Sequence, residues 1–144
     1  MRVFSIILAA LVAVFSAVAL AATAPMITTP DATNWVPGTG GYAGTQMAVL
    51  LGDPTKSGMY IMRMKLPAGT TFPPHVHGTT ENVTVISGAL MVGLGKTVDQ
   101  SQMKALPAGT FVSVPPNMPH YAMAKEETVI QIEGMGPETM TPVK

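Results

Sequence analysis

The chain has 144 residues, with eight Lys and Arg against eight Asp and Glu and no Cys. That length allows one packed core and not two. The even charge excludes a basic face for nucleic acid, and the missing Cys excludes both a disulfide framework and a lipid attached through cysteine.

Arg2 is followed by an unbroken apolar run over residues 3–21, with nothing more polar than Ser5 and Ser16, ending in Ala19-Leu20-Ala21. A charged start, an apolar stretch and a small-residue finish describe a secretory signal peptide, cleaved after Ala21 or Ala22. A transmembrane anchor is the competing reading, because about 18 apolar residues can span a bilayer. The richness in Ala, and the lack of a basic cluster after Ala22, favour the signal. The expected product is secreted or periplasmic, with no stable membrane insertion after cleavage.

Residues 22–44 read as an irregular arm, punctuated by Pro25, Pro30 and Pro37 and loosened by Gly38, Gly40, Gly41 and Gly44. Trp35 and Tyr42 are its large anchors, expected to pin it to the surface of a domain over residues 45–144. There the pattern turns to short β-rich runs. Gln46–Leu51 is followed by a turn-rich connection. Residues 59–66 then alternate, with Tyr60, Met62, Met64 and Leu66 on one face and Ile61, Arg63 and Lys65 on the other. Residues 81–94 form a long β pattern bent at Ser87-Gly88. Residues 110–114, His120–Ala124 and residues 127–133 complete the set. Leu-Pro-Ala-Gly-Thr occurs at 66–70 and again at 106–110, which suggests two equivalent corners, each Pro opening a strand. Many short strands and Pro/Gly turns, without a capped helical period, predict an all-β sandwich or barrel.

All three histidines fall into one constellation. His75 and His77 are two apart, so on an extended strand both imidazoles project from one face. Glu81 follows after Gly78-Thr79-Thr80, a turn that can return a carboxylate to the same place, and His120 arrives from a distant strand. A lone His in a small domain is more often a surface or hydrogen-bonded residue than a ligand. Imidazole with one carboxylate suits Fe, Mn, Co, Ni, Cu or Zn rather than Ca or Mg.

The segment Gly69, five residues, His75-Val76-His77, three residues, Glu81, six residues, Gly88 resembles the first motif of the cupin family at every fixed position. The family's second motif runs G, five residues, P-x-G, two residues, H, three residues, N. Here Gly109, Pro115, Pro116, Asn117, His120 and Ala124 follow it, with Asn117 in place of Gly and Ala124 in place of Asn. Asn tolerates left-handed backbone better than most residues, and the Ala124 change removes a polar group but no ligand. The resemblance spans about residues 51–133. It implies a double-stranded β-helix of the jelly-roll type, with one divalent transition metal (Fe, Mn, Ni, Zn or Cu) held by His75, His77, Glu81 and His120.

Four protein ligands leave positions open for water, dioxygen or a small chelating molecule. The resemblance therefore implies either a metal-dependent oxygenase or related oxidoreductase acting on a small organic molecule, or a non-catalytic metal- or small-ligand-binding module. Phe72, Met62, Met64, Val83, Val85, Met118, Tyr121 and Met123 are expected to surround or flank the site, or simply to fill the barrel core. Tyr121, Gln131 and Glu133 are the candidates for orienting a substrate, while Arg63 is expected on the outer face. The family pattern also implies a homodimer, with Trp35 and the arm as a strap across the partner.

Overall fold

The computed structural model describes residues 24–144, so the expected signal peptide lies outside the described residues. Eleven strands run in chain order: β1 (Val36–Pro37), β2 (Gln46–Leu51), β3 (Gly58–Leu66), β4 (Thr71–His77), β5 (Glu81–Ser87), β6 (Ala89–Leu94), β7 (Lys104–Pro107), β8 (Phe111–Val114), β9 (His120–Ala124), β10 (Thr128–Gly136) and β11 (Met140–Pro142). They form a six-stranded sheet, β1-β2-β3-β10-β5-β8, and a five-stranded sheet, β11-β4-β9-β6-β7. The paired strands in each are antiparallel, as a jelly roll requires.

Alternation decides what each strand buries. Along β3, Tyr60, Met62, Met64 and Leu66 are at most 2 % exposed, while Ile61, Arg63 and Lys65 face outward. β10 aligns Ile132 with Met62 and Ile130 with Met64, and presents Gly134 to Tyr60. From the facing sheet, Phe72, Leu90 and Ala124 close the same core. Each large side chain buried there contributes about 1.5–3 kcal/mol. On the outer face, Arg63 Nε donates to Gln131 Oε1 at 3.1 Å, and Lys65 Nζ stands 4.9 Å from the Trp35 ring centroid. Trp35 thus holds the arm to β3 as expected.

The two Leu-Pro-Ala-Gly-Thr corners are equivalent, although each Pro follows or ends a strand rather than opening one. In each, the Thr N–H donates to the Pro carbonyl at 3.1 Å, from Thr70 to Pro67 and from Thr110 to Pro107. Gly69 and Gly109 sit at φ 88° and 86° and close the turns. Each glycine N–H also extends the ladder to the neighbouring strand of its own sheet, Gly69 to the Ala124 carbonyl and Gly109 to the Val85 carbonyl, both at 2.8 Å.

Four features depart from expectation, the first being β7, which falls between the expected runs. The arm is less irregular, carrying β1 on the edge of β2 and a 3-10 turn over Gly40–Tyr42. β10 continues to Gly136. β11, too short to stand out by pattern, pairs with β4.

Candidate metal centre

β4 delivers two histidines to the barrel interior through a bulge. Phe72 opposes Ala122 and His75 opposes His120, so three steps on β4 match two on β9. The extra residue falls at Pro73-Pro74, which lack the N–H a regular ladder needs. The bulge lets Phe72 and His75, an odd number apart, both face inward, and regular alternation then turns His77 inward as well. Phe72 packs edge-on against His75 with ring centroids 6.5 Å apart.

His120 lies directly across from His75 at the start of β9. The loop before it contains Asn117 at φ 60°, the one non-glycine left-handed residue among those described. Asn117 therefore holds a left-handed backbone of the kind glycine adopts most readily, and its N–H donates to the His77 carbonyl at 2.9 Å. Glu81 opens β5 in the other sheet, brought there by the turn at 78–80. The site thus joins both sheets, with three imidazoles from one and a carboxylate from the other.

Hydrogen bonding settles which ring nitrogens face each other. His75 Nδ1 donates to the Pro73 carbonyl at 2.7 Å, and His120 Nδ1 to the Met118 carbonyl at 3.0 Å. His77 Nδ1 donates to the Thr139 carbonyl at 2.9 Å, with Glu138 Oε1 also at 3.1 Å. A carbonyl oxygen only accepts, so each Nδ1 carries the proton and each neutral ring presents an Nε2 lone pair. The three rings are no more than 5 % exposed, and their ligand atoms lie within 4.8 Å of one another. His77 Nε2 is buried without any hydrogen-bond partner. Glu81 Oε2 is 3.6 Å from it and 3.4 Å from His120 Nε2. These separations are longer than a charge-assisted hydrogen bond. They approach the ~3.0–3.4 Å between two donors that share one ion at ~2.1 Å each. An orphaned lone pair beside two others and a carboxylate fits a transition-metal ion.

The directions at Glu81 and His75 favour the same arrangement, whereas that at His77 runs the other way. Burial would push Glu81 up, but His120 and the nearby His77 and His75 outweigh it and hold the carboxyl below its usual range. Burial lowers His75, keeping it neutral and available. Burial would also depress His77, yet Glu138 and Glu81, flanking it on either side, raise it on balance.

A cavity of about 40 Å³ opens beside the histidines, lined largely by apolar side chains including Met64, Phe72, Val83, Val112, Ile132 and Met140. Tyr42 reaches its wall, so this arm residue enters the barrel mouth instead of pinning the outer surface. Its hydroxyl donates to Glu138 Oε1 at 2.7 Å. Burial, Glu138 and the charge of Glu81 push the phenol far above its ordinary value, so it stays protonated. The expected substrate-orienting groups lie elsewhere. Tyr121 follows a histidine and so faces the opposite way, its hydroxyl bonded to the Asp99 backbone on both the N–H and carbonyl sides at 3.0 Å. Gln131 alternates with buried Ile130 and Ile132, and donates outward to Glu133 at 2.8 Å. Of the expected apolar flank, Phe72, Met64 and Val83 line the cavity. Met62 and Val85 belong to the core behind it, Met118 is exposed, and neither Met123 nor Tyr121 reaches the wall.

A family model described as the ChrR cupin-like domain matches residues 23–138. No curated protein matches the chain. Among solved structures, a putative acetylacetone dioxygenase from Methylibium petroleiphilum superposes with a TM-score of 0.65 at 18 % identity, covering 85 % of this chain and 88 % of its own. The polyketide cyclase RemF from Streptomyces resistomycificus gives 0.63 at 15 % identity, covering 82 % and 84 %. An acetylacetone dioxygenase from Acinetobacter johnsonii gives 0.62 at 18 % identity, covering 81 % and 76 %. At such identities the likeness is one of fold.

Proposed function

We propose, since this chain belongs to the ChrR cupin-like family, that it holds one divalent transition-metal ion through the Nε2 atoms of His75, His77 and His120 and the carboxylate of Glu81. The observation that carries this reading is the partnerless buried Nε2 of His77, set among three rings whose Nδ1 protons are all committed elsewhere. Fe, Mn, Ni, Zn and Cu suit this donor set. Such an ion supplies Lewis acidity or one-electron chemistry, with coordination positions left for a small molecule. The chain's own part is to keep three lone pairs aimed inward, to place one negative charge beside them, and to surround the open side with apolar side chains that exclude bulk water.

The reaction this supports best is oxygenation, or a related oxidation, of a small organic molecule. The apolar wall suits dioxygen and a compact substrate, and two structural neighbours are described as acetylacetone dioxygenases. A second reading, a non-catalytic metal- or small-ligand-binding module, draws support from the cavity size. About 40 Å³ gives room for a few water-sized groups beside the histidines. Oxygen-electrode traces separate the two. Protein loaded with Fe(II), Mn, Ni or Cu should consume dioxygen when given acetylacetone or another small 1,3-dicarbonyl, above the level of metal-free protein and of protein loaded with redox-silent Zn. Stoichiometric metal with no uptake under any loading discards the oxygenase in favour of the binding module.

We further read residues 1–21 as a signal peptide and the mature chain as a secreted or periplasmic homodimer. Leu51, Met59 and Met135, exposed at one end of the larger sheet, support pairing. Intact mass and light scattering of the exported protein should show a start at residue 22 or 23 and twice the chain mass. A retained apolar segment, or a monomer at micromolar concentration, contradicts this.

A further inference from the structure

The three histidines are not held alike. His75 and His120 each bond a carbonyl two residues earlier in the chain, Pro73 and Met118, so their orientation is built in locally. His77 instead depends on residues 61 and 62 positions away, Glu138 and Thr139. That stretch is fastened by other long-range contacts. The Glu138 N–H donates to the Pro54 carbonyl at 2.7 Å, and Thr139 Oγ1 accepts from the Gly78 N–H at 3.2 Å. Glu138 Oε1, in a side chain only 14 % exposed, accepts from both His77 Nδ1 at 3.1 Å and the Tyr42 hydroxyl at 2.7 Å. Tyr42 belongs to the arm, which presses on the same strand end: a Cβ on neighbouring Gly41 would stand 1.9 Å from Met140 Cε.

Among the described residues, His77 is the one imidazole with a carboxylate against the ring nitrogen that points away from the cluster. A carboxylate there fixes the tautomer and ring angle, and makes the other nitrogen a stronger donor. We propose that Glu138 is a positioning residue that orients and strengthens His77 as a metal ligand, and that Tyr42 acts through it, so the arm before the barrel helps set the affinity of the site. This rests on the metal-binding reading above. It adds two residues, from the two ends of the described chain, that touch no ion themselves.

The test is a competition titration of Zn²⁺ or Co²⁺ against a chromophoric chelator, with the thermal midpoint of each metal-free variant measured alongside. Glu138→Gln keeps an acceptor oxygen of the same shape and removes only the charge. Glu138→Ala removes both. Expected losses in affinity are about 10-fold for Glu138→Gln and up to about 100-fold for Glu138→Ala, with Glu138→Asp recovering part of the loss. Tyr42→Phe should weaken binding a few-fold alone and not at all in the Glu138→Ala background. A protein weakened only by poor folding would lose its metal-free midpoint in step with affinity; the isosteric Gln variant should lose affinity at an unchanged midpoint. Affinity within twofold of wild type for both Glu138 variants, while His77→Ala abolishes binding, overturns the positioning role and leaves the metal site standing. An equal Tyr42→Phe effect with and without Glu138 overturns the relay through Glu138. Unchanged binding in His77→Ala removes the metal reading itself.

Discussion

Replacing His77 with alanine should take the purified protein from about one equivalent of transition metal per chain to essentially none. His77 contributes a partnerless lone pair to the cluster, with its ring centroid 4.9 Å from that of His75 and 5.3 Å from that of His120. Its loss leaves two imidazoles and a carboxylate, and opens a gap that water would fill in place of the missing nitrogen. A drop in affinity of at least about a thousandfold is expected, equivalent to about 4 kcal/mol. The effect should be visible in stability too. A ligand that binds only the folded state at 1,000 times its Kd adds about 4 kcal/mol, so metal should raise the melting point of wild type by about 15 °C and that of the variant scarcely at all. Elemental analysis and paired melting curves check both. One retained equivalent with an undiminished melting shift would mean that the ion sits elsewhere.

The candidate ligands were legible because each falls in a short local pattern, three in one stretch and the fourth in another. An H-x-H pair and a carboxylate four residues on are read from one stretch of chain, and His120 follows a recognisable Gly-Pro-Asn run. The fold class was legible for a similar reason: Tyr60, Met62, Met64 and Leu66 alternate with polar neighbours, and two five-residue corners recur. Tyr42 and Glu138 were not legible, because nothing near either residue points to the other; 96 positions separate them, and only barrel closure brings them together. The bulge at Pro73-Pro74 was equally hidden, since it depends on the register of β4 against β9. Tyr121, Gln131 and Glu133 are a different kind of miss. Nearness in sequence to His120 suggested Tyr121, which alternation turns away from it, while Gln131 and Glu133 do share one face of β10, the face opposite the buried Ile130 and Ile132.

The same distinction between local pattern and tertiary constraint sets the expected cost of Gly88→Ala. The sequence suggests a bend there, and Gly88 is a fixed position of the motif, but neither says how much room a side chain would have. Gly88 stands at φ 71° between β5 of the larger sheet and β6 of the smaller. A Cβ on it would lie 2.4 Å from the Glu127 carbonyl oxygen and 3.0 Å from Thr128 Cα, backbone atoms that cannot rotate aside. It would also stand 2.7 Å from the Thr128 hydroxyl, which is fully buried and donates to the Ala89 and Glu126 carbonyls at 3.1 and 3.0 Å. Relieving the clash moves the start of β10 and endangers those bonds. The left-handed penalty of about 1–2 kcal/mol is thus joined by a packing penalty of similar or larger size, for a total of about 3 kcal/mol or more and a melting point lower by about 12 °C. Gly69 is the control. Its φ is 88°, yet a Cβ there meets nothing within 4 Å, so Gly69→Ala should cost only the backbone term. Chemical denaturation of both variants decides the matter. Equal losses would show that the corner tolerates a methyl group and that handedness alone selects glycine at Gly88. The larger loss at Gly88 would show that close approach of β10 is what the motif glycine serves.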